Sequence, residues 1–319
     1  MARSRIVLAF LAIYLIWGST YYAIRVAVDS IPPLAMMGAR CLAAGLILYC
    51  WSRRTAPAPD GAAWRAALVA GGFLFLLSHG SLAWAEQRVA SGEAALLGAT
   101  TPLWLTLVDW RFGSGRMPRA WGRVGLALGF AGVTLLFAPG WRSGSSGLAV
   151  GHAAILGAAI AWAAGSVYGR GARLPGDVRQ STALQLLAGA AWLAAASAIT
   201  GEWRSFAVAN VTPASAAALL YLIVFGSVVA FTAYIWLLRI TTAARVGTHA
   251  YVNPIVAVAL GAALGGEHVS LLTLASALTI VAGVVLVLVE QSRPAQAATS
   301  ALPPPPRGAK KAAAAIRLA

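Results

Sequence analysis

Residues 89–105 read VASGEAALLGATTPLWL, and residues 241–257 read TTAARVGTHAYVNPIVA. Laid one on the other without gaps, they place Pro102 on Pro254. Two further matches keep the same order: FAGVTLLF at 130–137 with VAGVVLVL at 281–288, and Gly18-Ser19-Thr20-Tyr21 with Gly165-Ser166-Val167-Tyr168. Apolar sequence of low complexity produces single matches by chance, but three in register point to an internal repeat. The offsets lie between 147 and 152 residues, so the repeat divides the chain into 1–142 and 143–290.

The solvent around these halves follows from composition. Hydrophobic residues make up 60 % of the chain and charged ones 10 %, against roughly a quarter charged in an average soluble domain. Mean hydropathy is +0.76. Apolar runs of bilayer-crossing length, ~20 residues, recur between short polar breaks. They predict ten crossings at 6–27, 34–52, 66–85, 91–110, 120–138, 148–169, 180–199, 213–238, 243–264 and 270–290. Turn chemistry separates them, as in Ile31-Pro32-Pro33, Pro139-Gly140 and Gly265-Gly266. Trp51, Trp64, Trp110, Trp121, Trp141 and Trp203 sit near predicted helix ends, where an amphipathic ring anchors at the headgroups. After Glu290 the chain turns to Ser, Ala and a Pro303–Pro306 run. Residues 291–319 are expected to form a disordered cytoplasmic tail.

A net charge of +15 raises the question of nucleic acid. Nineteen of the 24 Lys and Arg fall on one set of alternating loops and tails, among them Arg53, Arg54, Arg119, Arg123, Arg170 and Arg173. Arg25, Arg88, Arg142 and Arg204 fall on the other set, and Arg40 lies within a helix. This asymmetry is the positive-inside pattern, with both termini cytoplasmic and an even number of crossings. The charge reports orientation in a bacterial inner membrane, and no nucleic-acid partner is expected. Membrane lipid and a small-molecule substrate are the partners implied. Cys41 and Cys50, nine positions apart on one helix, are too far apart for a disulfide.

Five crossings per half is an odd number, so the second half enters the membrane from the opposite side. Inverted halves can exchange conformations about a pseudo-two-fold axis and expose one midplane site to each side in turn. The fold expected is an all-α integral membrane protein, ten helices in two inverted five-helix repeats around a central cavity.

Together these residues resemble the EamA-type branch of the drug/metabolite transporter superfamily, over roughly residues 6–290. Trp17-Gly18-Ser19, Arg40, SGEAALLGATTPLW with Pro102, and AGV at 131–133 carry the resemblance in the first half. In the second half, VNP at 252–254, GGEHVS at 265–270 and AGV at 282–284 carry it. The turn GSGRMP departs from the family pattern, where an acidic residue often stands. The resemblance implies a central cavity, the fifth and tenth helices near an interface, and export of amino acids, aromatic ones included, or related metabolites.

A charge at bilayer depth is expensive, so Arg40 needs a partner or a wet cavity, unless it snorkels to the surface. His79 and His249 lie at depth, where a neutral imidazole offers one donor and one acceptor to a zwitterion, or packs as a core residue. Ser19, Thr101, Ser166 and Asn253 lie near the repeated motifs, and such groups serve either as helix-to-helix glue or as ligand contacts. Trp17, Trp162 and Tyr234 are aromatic residues away from helix ends, suited to a flat or cationic ligand or to packing. Pro102 and Pro254 interrupt the backbone ladder, as hinges or as packing kinks. No acidic residue falls convincingly at the midplane. No phosphate-binding G-x-x-x-x-G-K-[ST] loop, H-E-x-x-H metal pair or nucleophile–base set occurs, so neither a cofactor nor an enzyme activity is expected. Drug-like cations or sugars remain the alternative cargo, with an intramembrane enzyme as the remoter alternative.

Overall fold

The computed structural model describes residues 3–113, 115, 117–143, 146–241, 246 and 248–292. The tail, most of 242–248 and the Gly144-Ser145 pair lie outside them. The described residues form helices and turns, with no strand.

Helix α1 comprises Arg3–Leu11, a π-helical stretch Ala12–Ile16 and Trp17–Ala27. Helix α2 is Pro33–Ser52, started by a proline whose missing N–H costs nothing in a first turn. Helix α3 runs as Gly61–Gly71, a π-helical stretch Gly72–Gly80 and Ser81–Ala85. There follow α4 (Ser91–Gly98), α5 (Thr101–Phe112), α6 (Ala120–Ser143), α7 (Ser146–Gly171) and α8 (Val178–Thr200). Two short helical turns, Glu202–Ser205 and Val208–Asn210, lead to α9, built from Pro213–Tyr221, a π-helical stretch Leu222–Val229 and Ala230–Ile240. Helices α10 (His249–Leu264) and α11 (Leu271–Ser292) close the bundle.

Among the described residues, eight helices are long and apolar enough to cross a membrane: α1, α2, α3, α6, α7, α8, α9 and α11. Their outward faces are apolar too: Leu271 is 86 % exposed and Leu278 73 %. Outward leucine is what a lipid solvent stabilises and water does not.

The expected continuous crossing at 91–110 is corrected. The chain breaks into α4 and α5 at Ala99-Thr100. Pro102 has no N–H to offer the carbonyl of Gly98, and the Thr101 hydroxyl donates to it instead, at 2.7 Å. Thr100 donates to Leu97 O in the same way. Pro254 behaves differently and sits inside α10. Helix α6 continues through Pro139-Gly140 to Ser143, past the expected stop.

Packing relies on small residues. Helices α6 and α11 touch backbone to backbone: a Cβ at Gly125 would stand 2.6 Å from Gly283 O, and one at Gly283 would stand 2.5 Å from Gly125 O. Such approach gives close dispersion contact in a solvent that supplies little hydrophobic drive between helices. Helices α2 and α8 form the other extensive pair, with Gly38 against Leu193. Three glutamates then reach across the chain to the first turns of distant helices. Glu202 accepts from Leu34 and Ala35 N–H of α2, Glu267 from Ser91 and Gly92 of α4, and Glu290 from Arg119 and Gly122 at the start of α6. Each satisfies N–H groups that a helix start leaves open and complements its dipole.

Candidate functional site

The two longest π-helical stretches, in α3 and α9, begin 150 positions apart, at Gly72 and Leu222, within the spacing of the sequence repeat. A π-helical stretch shifts backbone pairing by one residue and is often found at functional sites. In each, one polar side chain turns back to the carbonyl five residues earlier. His79 Nδ1 lies 2.8 Å from Leu74 O, and Ser227 Oγ donates to Leu222 O at 3.1 Å.

Arg40 of α2 meets the second stretch. It is 8 % exposed, and its Nε donates to Ser227 Oγ at 3.0 Å. Among the described residues, its remaining hydrogen bond is a long one to Met37 Sδ, at 4.0 Å. A guanidinium carries five N–H donors, so donors are left for an anionic group. Its charge also reaches His79. The buried setting and the Ser227 partner take the place of the snorkelling geometry. Gly226 leaves the space, since a Cβ there would lie 3.4 Å from Arg40 and 3.2 Å from Thr20.

Trp17 belongs to the same neighbourhood. Its indole N–H donates to Gly226 O at 3.0 Å. Its ring stands 5.1 Å from Tyr234 and 5.0 Å, edge-on, from His249, so three of the expected residues form one aromatic nest. His249 Nδ1 pairs with Val246 O at 2.9 Å. A carbonyl can only accept, so Nδ1 carries the proton in both His79 and His249, and Nε2 is the acceptor of the neutral ring. A second nest gathers His79, Phe75 and Trp162, with centroids 5.4 and 5.2 Å from the imidazole.

Each of the hydroxyls donates to a carbonyl three or four residues earlier. Ser19 donates to Ile16 O and pairs with the Tyr221 hydroxyl at 2.6 Å, Ser166 donates to Trp162 O, and Thr101 closes the break before Pro102. The glycines of the repeated Gly-Ser pairs serve close approach. A Cβ at Gly18 would meet Val256 of α10 at 2.6 Å, and one at Gly165 would meet Phe73 of α3 at 2.9 Å. Among the described residues, the buried Asn253 Oδ1 and the indole N–H of Trp104 have no hydrogen-bond partner. Gly226 and Ser227 escape sequence reading because the π-helical register that aims them has no residue signature.

Known proteins share this chain's pattern over most of its length. The EamA-like transporter family matches two stretches, residues 4–138 and 149–289. The chain is 40 % identical over 282 residues to the uncharacterized inner membrane transporter YedA of Escherichia coli (strain K12), covering 88 % of this chain and 89 % of the relative. It is 27 % identical over 287 residues to the uncharacterized transporter YvbV of Bacillus subtilis (strain 168), covering 89 % and 91 %. One solved crystal structure shares the fold with a TM-score of 0.61 at 20 % identity, over 92 % of this chain and 100 % of the other. By these matches the chain belongs to the EamA-like transporter family.

Proposed function

We propose that this transporter exports small metabolites, foremost amino acids with aromatic or other hydrophobic side chains, by alternating access across the bacterial inner membrane. The observation that carries the reading is the grouping around the α9 π-helical stretch. Arg40 offers N–H donors to a carboxylate, the His249 Nε2 atom offers an acceptor to an ammonium, and the Trp17–Tyr234 nest offers a flat apolar wall. An α-amino acid carries all three complements. A buried guanidinium repels cations, which weighs against drug-like cations, and a sugar has no charge to match it.

Ten crossings in two inverted halves, 1–142 and 143–290, are part of the proposal, with α4 and α5 together as one interrupted crossing and α10 as another. The twofold family match, the repeated π-helical stretches and the sequence repeat support it. The basic loops support cytoplasmic termini. Pro102 and Pro254 would be the hinges.

The test is uptake into proteoliposomes of a labelled panel of amino acids, sugars and quaternary cations, with and without a pH gradient. Saturable transport of aromatic and branched amino acids is expected. Transport confined to cations or to sugars overturns the cargo.

A further inference from the structure

Glu86 caps the C-terminus of α3, and its side chain stands out among the nine acidic residues. It is 0 % exposed, and among the described residues neither carboxylate oxygen has a hydrogen-bond partner. The cations around it do not bind it. Arg25 of α1 donates to the Glu86 main-chain carbonyl, and Arg88, next along the turn, donates to Trp84 O. From α1, Tyr21 also lies within range of its charge; from α2, Arg40 does. From beyond α10 comes a like charge, Glu267, whose oxygens are already taken by Ser91 N–H at 2.7 Å and Gly92 N–H at 3.1 Å. The nearby helices α4 and α7 carry Glu93 and His152, which pair with each other at 2.8 Å. Burial first, and the Glu267 charge second, hold the Glu86 carboxyl well above the usual carboxylate range. Among the described residues no group of three His, Cys, Asp or Glu could hold a metal ion.

The surroundings of Glu86 are junctions between the proposed halves. Glu267 ties the end of α10 to the start of α4, and His152 ties α7 to α4. Val89, three residues on and 1 % exposed, packs against Gly151 of α7. On the proposed orientation this end faces outward, and the role assigned to Glu86 rests on that orientation.

We propose that Glu86 is a proton-binding site that latches the outer end of the transporter shut: neutral Glu86 is sealed in beneath the α4 junction, and loss of its proton to external water holds that end open. The step is a simple ionisation. The carboxylic O–H bond breaks, the proton passes to water, and the carboxylate stays solvated until it is protonated again and the end closes. Closed protein binds one more proton than open protein, so by linkage alkaline external pH favours the open form and acid favours the closed one.

The experiment uses the full chain in cells, with Cys41→Ala and Cys50→Ala as background and a membrane-impermeant maleimide as probe. Val89→Cys reports opening. Gln87→Cys, on the exposed turn, corrects for the intrinsic pH dependence of a thiol. The ratio of Val89→Cys to Gln87→Cys labelling is expected to rise between about pH 5.5 and about pH 8.5, at most about tenfold per unit, the limit for one linked proton. Adding Glu86→Gln is expected to leave the ratio low and flat. A ratio already flat with Glu86 present overturns the latch without recourse to the variant, as does a pH dependence that survives Glu86→Gln. Gln87→Cys unreactive from outside overturns the sidedness. Labelling needs no substrate, so failure here is distinct from failure of the amino-acid reading, which transport alone decides.

Discussion

The π-helical stretches of α3 and α9 use one backbone device and carry different chemistry. Each turns a polar side chain to the carbonyl five residues back, but the first presents the His79 imidazole and the second the small Ser227 hydroxyl. The small residue, with Gly226 beside it, admits the Arg40 guanidinium; the large one fills its place and packs, tilted, against Phe75 and Trp162. Repetition thus supplies the frame, and the departures from repetition place the charge on one side only.

Replacing the charge breaks this contrast most severely. Arg40→Met is expected to lower amino-acid transport by about a hundredfold, since hydrogen bonds to a charged group contribute roughly 1.5–3 kcal/mol each. Arg40→Lys should recover little of it, because an ammonium lacks the planar fork. Rates in proteoliposomes, normalised to folded protein, decide the point; near-wild-type transport in Arg40→Met removes the carboxylate contact. Trp17→Ala loses an indole hydrogen bond and two ring contacts, and about a tenfold loss without a fall in folded protein is expected. His79→Ala probes the other stretch. About a threefold to tenfold loss is expected, and an effect larger than that of Arg40→Met would reverse the order of importance of the two sides. Thr101→Val is the smallest change. It removes the donor to Gly98 O and should cost about 1 kcal/mol of stability, seen as a lowered unfolding temperature in detergent, with transport altered less than about twofold.

The membrane class, the apolar helices and the family were legible in the sequence because each rests on a long-range signal: bilayer-length apolar runs, and motifs such as Gly18-Ser19 and Pro102. Arg40, Trp17 and His249 were legible as single residues out of keeping with their surroundings. Their grouping was not, since Gly226 and Ser227 are ordinary membrane residues until a shifted helical register turns them toward Trp17 and Arg40. The break at Ala99-Thr100 was half legible. Pro102 announced an interruption, but whether a helix kinks or stops depends on what else meets the freed carbonyl, and at Gly98 that is the next hydroxyl. Glu86 was legible only as one of several acidic residues toward helix ends, where carboxylates are usually wet. It is buried all the same, and the like charge within its range, Glu267, is distant in sequence.

The three glutamates that serve remote helix starts have a consequence for synthesis. Glu202, Glu267 and Glu290 each lie 167 to 176 residues downstream of the N–H groups they accept from. At roughly 5–20 residues per second, the ribosome delivers each one about ten to thirty seconds after the helix it serves has been made. Until then α2, α4 and α6 wait with those amides unclaimed, so the N-terminal portion matures only when the C-terminal portion arrives.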